Sequence, residues 1–179
     1  MWPLSYFVGL GLSWGVLDGA NTLDQSAAVD AAVTAPVYPD VGVGLQVRGS
    51  HVTGWTGDPG GPRSMSTLHS LSTYDIAATA HLSGGRILFA PWAGLHLIRG
   101  VATTYYGFYD PDPTPGPMTV DVGIHTTVMV GALLSVDLLQ SPPHAVAIYA
   151  ELERSMSDRA GDATTEPFAA TLGIAYRYR

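Results

Sequence analysis

The chain has 179 residues, of which 46% are apolar and only 13% are charged, so it is neither disordered nor longer than one domain, which we assign to residues 1–179. Its formal net charge of -7 excludes the basic stripe that nucleic-acid binding requires. It contains no cysteine, which excludes both a disulfide framework and a thiolate metal site.

The first predicted element, Trp2 to Val16, alternates large apolar residues with glycine and serine. A period of two indicates a β-strand. Because the segment lacks a basic start and a small-residue cleavage site, we expect it to be mature sequence and not a secretory signal. The next stretch, residues 25–35, alternates only faintly, and its alanines would suit a short helix equally well. We assign it as the second strand.

Six further stretches show the same alternation and are predicted strands: Val41 to Val47, Tyr74 to Leu82, Ile87 to Leu97, Val120 to Leu138, Val146 to Leu152 and Phe168 to Tyr178. Tight turns at residues 83–85 and 141–143 join neighbouring strands, whereas residues 56–66, 107–117 and 158–166 form longer loops between other pairs. This alternation of turns and loops predicts an all-β, up-and-down antiparallel barrel of about eight strands.

The two faces of these strands differ in an unusual way. One face carries large apolar residues, and the other carries mostly glycine, serine, threonine and alanine with isolated charges. Such a face is a poor solvated exterior, so we predict a transmembrane β-barrel whose apolar residues meet lipid and whose small and charged residues fill the lumen. The longest apolar stretches are shorter than the ~20 residues of a spanning helix. A soluble lipocalin- or avidin-like barrel is the alternative.

The end of the chain carries the most specific pattern. Thr171, Gly173, Tyr176 and Tyr178 occupy the four defined positions of a polar, glycine, aromatic, aromatic run. This run resembles the C-terminal insertion signal of outer-membrane β-barrels, and the hairpins of residues 74–98 and 122–153 resemble those of small OmpA- or OmpX-like eight-stranded barrels. The resemblance implies a location in the bacterial outer membrane, surrounded by its lipid, with the barrel-insertion machinery as a partner during assembly.

Eight charged or histidine side chains fall on the predicted lumen face. They are Arg48, Asp75, His81, His96, Asp121, His125, Glu151 and Glu153. Because a lone buried charge costs several kcal/mol, we expect these residues to pair in a polar network. The three histidines lie on neighbouring strands and leave one metal hypothesis open, but we favour the network and predict neither a metal nor a cofactor.

The leading functional hypothesis is a non-catalytic, monomeric outer-membrane barrel with a structural or surface-interaction role in the cell envelope. A narrow solute conduit is the second hypothesis, although side chains can just fill an interior of about eight strands. A soluble ligand-binding barrel is the third. The fourth, a lipid A hydrolase, depends on the adjacent His69 and Ser70, which a strand would point to opposite faces. We therefore predict no catalytic residue.

Overall fold

The computed structural model of the chain is a closed antiparallel barrel in which each strand pairs with the next and the last pairs with the first. The structure describes residues 4–16, 23–57, 65–106, 117–156 and 168–179. The eight strands are β1 (Ser5–Val16), β2 (Leu23–Tyr38), β3 (Val41–Gly57), β4 (Met65–Gly84), β5 (Ile87–Tyr106), β6 (Met118–Ser141), β7 (His144–Ser155) and β8 (Phe168–Tyr178). The predicted fold class is confirmed. In the described ranges, no helix is long and apolar enough to cross a membrane.

The second strand shows how tertiary pairing overrides a helical composition. β2 pairs with β1 and with β3 along most of its length, so its backbone hydrogen bonds are made to neighbouring strands. Its alternation is faint because Ala28 and Ala32 face the crowded interior, where both are buried, while Val29 and Val33 face outward. The strand assignment of residues 25–35 is therefore confirmed.

The tight turns all lie at one end of the barrel, where they join β2 to β3, β4 to β5 and β6 to β7. Gly85 in the second of these turns has φ +58°, a left-handed conformation that glycine adopts without steric cost. The strand ends that lead into residues 17–22, 58–64, 107–116 and 157–167 lie at the opposite end. Transmembrane barrels have short periplasmic turns and longer extracellular loops, so we expect this opposite end to be the outer one.

Several strands are longer than the sequence pattern predicts. β4 begins at Met65 and β5 extends to Tyr106, whereas the regular alternation of large apolar residues covers only the halves near the tight turn. The added part of β4 is rich in serine and threonine, and that of β5 includes Gly100, Thr103 and Thr104. They lie above the apolar part of the barrel, where the outward face needs no large apolar residue, so the pattern there is weak although the backbone pairing continues.

The outer surface of the barrel is apolar and its interior is mixed. Leu10 and Leu45 are each 64% exposed, whereas the charged side chains of Asp30 and Glu151 are at most 1% exposed. A soluble barrel has the opposite arrangement, with its apolar residues buried. This inside-out distribution excludes the soluble lipocalin-like alternative and is the arrangement of a barrel in lipid.

Apolar side chains form one layer of the interior, on the tight-turn side of the polar residues described next. Phe7, Leu88, Leu133 and Tyr149 form one buried cluster with neighbouring alanines. The rings of Phe7 and Tyr149 meet edge to face, with centroids 5.4 Å apart. The cluster closes the space below the polar residues described next.

Candidate functional site

Five of the eight predicted lumen residues lie together in the middle of the barrel interior. Arg48 on β3, Asp75 on β4, His96 on β5, and Glu151 and Glu153 on β7 are all buried. Arg48 stands opposite Asp75 in register, and Asp75 stands opposite His96. Residues that are directly opposite share a face of the sheet, so this row joins three strands, and His96 Nδ1 is hydrogen-bonded to the Asp75 carboxylate. The charged members of the network, which we call the lumen network, are Asp30, Arg48, Asp75, His96, Glu151 and Glu153.

Arg48 is the centre of the lumen network. Its guanidinium donates hydrogen bonds to the Glu153 carboxylate, to Ser13 Oγ at 2.8 Å and to Thr171 Oγ1 at 2.5 Å. Its Nε lies 3.6 Å from Asp30 Oδ1. These partners belong to β7, β1, β8 and β2. One side chain therefore connects strands on both sides of the junction where β8 closes against β1.

Asp30 is a member of the network that sequence reasoning missed. It is fully buried and accepts a hydrogen bond from the Tyr149 hydroxyl, whose oxygen lies 2.6 Å from Asp30 Oδ2. Nearby, Gln46 Nε2 donates to Glu151 Oε1 at 3.0 Å. The sequence does contain an indication of its position. Asp30 lies two residues from Ala28, so both fall on the same inward face of β2, and Asp30 is the charged residue in an otherwise alanine-rich stretch.

His81 also faces the interior, as predicted, but it lies away from the lumen network, near the tight-turn end. It is half-buried, and its Nδ1 lies 3.4 Å from Thr34 Oγ1. At the same end Asp137 accepts hydrogen bonds from Arg177 at 2.6 Å and from Arg179 at 2.8 Å. A cavity of about 210 Å³ is lined by His81 and the two arginines. The alternation in the sequence does not reveal that Asp137, Arg177 and Arg179 form this second group of charges.

The predicted lumen position of Asp121 is wrong. The register of β5 and β6 shifts between Gly100 and Val101, so Asp121 pairs with Val101. Val101 faces outward, and Asp121 therefore faces outward as well. Asp121 is exposed, and its Oδ1 accepts a hydrogen bond from the backbone N–H of Gly123 at 2.8 Å. The bulge moves the alternation by one residue, which the sequence pattern does not show. His125 lies on β6, but its side chain is outside the described part of the structure.

The four residues of the C-terminal pattern lie where β8 closes the barrel. Thr171 is buried within hydrogen-bonding distance of Arg48. A Cβ atom on Gly173 would overlap a β1 backbone oxygen, so a side chain there would force the two strands apart. The Tyr176 hydroxyl lies 2.5 Å from His144 Nδ1, and Tyr178 packs edge to face on the same imidazole. Their recognition by the insertion machinery stays a prediction.

The outer surface carries a histidine with two serines. His51 Nδ1 lies 3.1 Å from Ser72 Oγ, and Nε2 lies 3.4 Å from Ser70 Oγ. The hydrolase hypothesis paired Ser70 with His69, whose side chain the structure does not describe. Both ring nitrogens of His51 face hydroxyl groups, so no carboxylate orients this imidazole as a general base.

The described part of the interior lacks a ligand set for a metal ion. Among the described residues, no three histidine, aspartate or glutamate side chains are grouped so that they could hold a metal ion. The lumen network surrounds one guanidinium and one imidazole with four carboxylates.

Comparisons with known proteins identify the fold. No protein-family model matches the sequence, and no curated protein matches it. Among solved structures, Ail, the attachment invasion locus protein of Yersinia pestis, matches with a TM-score of 0.57 at 15% identity, over 99% of this chain and 100% of that chain. A major outer membrane protein from Thermus thermophilus matches with a TM-score of 0.51 at 15% identity, over 98% and 100% of the two chains.

The chain has the fold of the small outer-membrane β-barrels. The predicted resemblance is thus confirmed for the architecture: eight strands, simple up-and-down order and closure of the last strand on the first. The exposed apolar residues of the outer surface, such as Leu10 and Leu45, form what we call the apolar belt. This belt agrees with the fold, because only a barrel that crosses a lipid bilayer gains from such a surface. Fold and surface together support the predicted location in the bacterial outer membrane.

Proposed function

We propose that this chain is a non-catalytic outer-membrane barrel with a structural or surface-interaction role in the cell envelope. The observation that carries the proposal is the filled interior. Arg48 joins strands across the closure of the barrel, and the apolar cluster around Tyr149 occupies the space below it. An eight-stranded barrel of this kind is a rigid support. The longer connections between strands all fall at the outer end, and connections of this kind commonly carry the binding residues of a rigid scaffold.

The geometry of His51 argues against catalysis. A histidine that activates a serine is itself oriented by a third group, usually a carboxylate that bonds to its other ring nitrogen. In this barrel the second nitrogen of His51 faces another serine hydroxyl. The lumen histidine His96 is buried beside Asp75, out of reach of a membrane lipid. These contacts support a non-catalytic role.

The interior can be tested directly for conduction. The protein is refolded in phosphatidylcholine vesicles, where a folded barrel shows heat-modifiable gel migration, and is then transferred to planar bilayers. We expect no conductance steps from the wild-type protein. The variant Arg48→Ser with Glu153→Ser removes the central ion pair, so we expect it to show steps. Conductance steps from the wild-type protein would establish a solute conduit and contradict the proposal.

Two further assays test the remaining alternatives. Release of fatty acid from lipid A by the refolded protein would establish a hydrolase, whereas we expect none. Protease added to whole cells should cut within residues 58–64, 107–116 or 157–167 and leave the tight turns intact. Cleavage at Gly84 instead would reverse the orientation and remove the surface role.

A further inference from the structure

A polar patch lies on the outer face of the barrel, where most of the surface is apolar. Its members are His51 on β3, Ser70 and Ser72 on β4, and Arg99 on β5, and we call it the outer-face patch. His51 is opposite Ser72 in register, and Ser72 is opposite Arg99. The side chains of His51 and Arg99 are exposed. Three adjacent strands therefore present an imidazole, hydroxyl groups and a guanidinium on one surface.

The height of the outer-face patch follows from the apolar belt. On β5 every second residue from Ile87 to Leu97 faces outward, and none of these residues is charged. Arg99 is the next outward-facing residue. That interval matches the ~9–11 residues with which a tilted strand crosses the hydrocarbon core. Tyr74, two residues below Ser72 and 54% exposed, occupies the position of an interfacial aromatic residue. The patch therefore lies at the headgroup layer of the outer leaflet.

We propose that the outer-face patch binds the phosphate of a phosphorylated glycolipid of the outer leaflet, a proposal that rests on the membrane placement of the proposed function. The Arg99 guanidinium can hold a phosphate through two parallel hydrogen bonds. The hydroxyl groups of Ser70 and Ser72 flank the His51 ring, and serine O–H groups can donate to the same phosphate. The patch supplies cationic and hydroxyl donors where the lipid carries its anionic group.

A groove on the same strands fits the lipid's acyl chain. This shallow groove of about 700 Å³ lies nearer the tight-turn end than the patch and runs across β3, β4 and β5. It is lined mainly by small or apolar residues, including Leu45, Ala78, Ala80 and Ala93. Because the phosphate site and the groove occupy the same three strands at successive depths, the occupant they fit is an acylated phosphate and not a soluble anion.

The chain provides a matched control in Arg154. This arginine is exposed on the outward face of β7, and its register partners are Val130 and Phe168. It therefore carries the same charge on the same surface, but its cross-strand neighbours are apolar. Arg154→Gln measures general attraction of anionic lipid to an outward arginine, whereas Arg99→Gln measures the patch.

The test measures lipid retained by the folded barrel. Wild-type and variant proteins are refolded in phosphatidylcholine vesicles that contain either lipid A or dephosphorylated lipid A, and the bound lipid is counted by native mass spectrometry. We expect wild-type protein to retain lipid A and not the dephosphorylated form. Loss of charge-assisted contacts should lower apparent affinity about tenfold or more in Arg99→Gln and in the double variant Ser70→Ala with Ser72→Ala. In Arg154→Gln the loss should be less than about twofold.

Three results would overturn the proposal. Equal retention of lipid A and its dephosphorylated form would show that the phosphate is not recognised. Equal losses in Arg99→Gln and Arg154→Gln would show diffuse attraction and no specific patch. Release of free fatty acid by the patch would make it a hydrolytic site. Failure of the wild-type protein to show heat-modifiable migration in pure phosphatidylcholine would refute the membrane placement itself, separately from the lipid proposal.

Discussion

Replacing Arg48 with methionine tests whether the lumen network stabilises the barrel. The substitution keeps an unbranched apolar stem but leaves the Glu153 carboxylate buried without its cation. Ser13 and Thr171 lose a donor, yet their hydroxyl oxygens lie 3.0 Å apart and can still bond each other. The dominant cost is therefore the uncompensated carboxylate. Removing one member of a buried ion pair costs about 3–5 kcal/mol, and we expect a loss of this size in the free energy of unfolding.

The measurement is a urea titration in phosphatidylcholine vesicles, followed by tryptophan fluorescence. Adding Glu153→Gln to Arg48→Met removes the unpaired charge, so the double variant should recover part of the loss, with a coupling of about 0.5–3 kcal/mol. Arg154→Met, on the exposed face of β7, is the control and should change stability by less than about 0.5 kcal/mol. A loss below about 1 kcal/mol for Arg48→Met, together with additive effects in the double variant, would refute this reasoning.

Three other substitutions test separate parts of the fold. Val128→Arg places a charge on the lipid-facing surface and should lower the free energy of unfolding by about 2–4 kcal/mol near the bilayer midplane. Thr127→Ser, on the lumen side, should lower it much less. Equal effects would contradict the assignment of the two faces of β6. Gly44→Ala would make Cβ overlap a β2 carbonyl oxygen, so we expect a loss of about 1–3 kcal/mol in the same titration, which a neutral result would disprove. Tyr176→Ala with Tyr178→Ala should lower the amount of folded protein in isolated outer membranes, and undiminished assembly would show that these rings are not needed to close β8 on β1.

The architecture could be predicted because a strand in the bilayer needs apolar residues on its lipid face only, so the sequence alternates with a period of two. In β7 each outward residue meets lipid and each inward residue meets the lumen, so alternation is complete from His144 to Arg154. The same reasoning identified β2 only weakly, since its inward positions are alanines as well as polar residues. The extension of β4 back to Met65 could not be predicted, because above the bilayer both faces accept small polar residues.

The sequence predicts which face of its strand a site residue lies on, but not which residue on another strand it contacts. Parity assigned Arg48 and Glu153 to the lumen, but their contact across the barrel depends on registers that a sequence does not display. The prediction for Asp121 is wrong because one bulge, beyond Gly100, exchanges the inward and outward positions of β6. Asp30 was missed because its strand was the faintest, although it is as deeply buried as any charge in the described structure.

The measurement that tests the inside-out barrel most directly is a cysteine scan of β7, which is possible because the chain has no cysteine of its own. Single cysteines at Val146, Ile148 and Ala150, and at Ala145 and Ala147, are labelled with a small fluorophore, and the proteins are refolded in vesicles whose lipids carry bromine on the acyl chains. The first three positions are exposed and the last two are buried, so the account predicts strong quenching at the former and weak quenching at the latter. Quenching that is equal at all five positions, or stronger at Ala145 and Ala147, would contradict it.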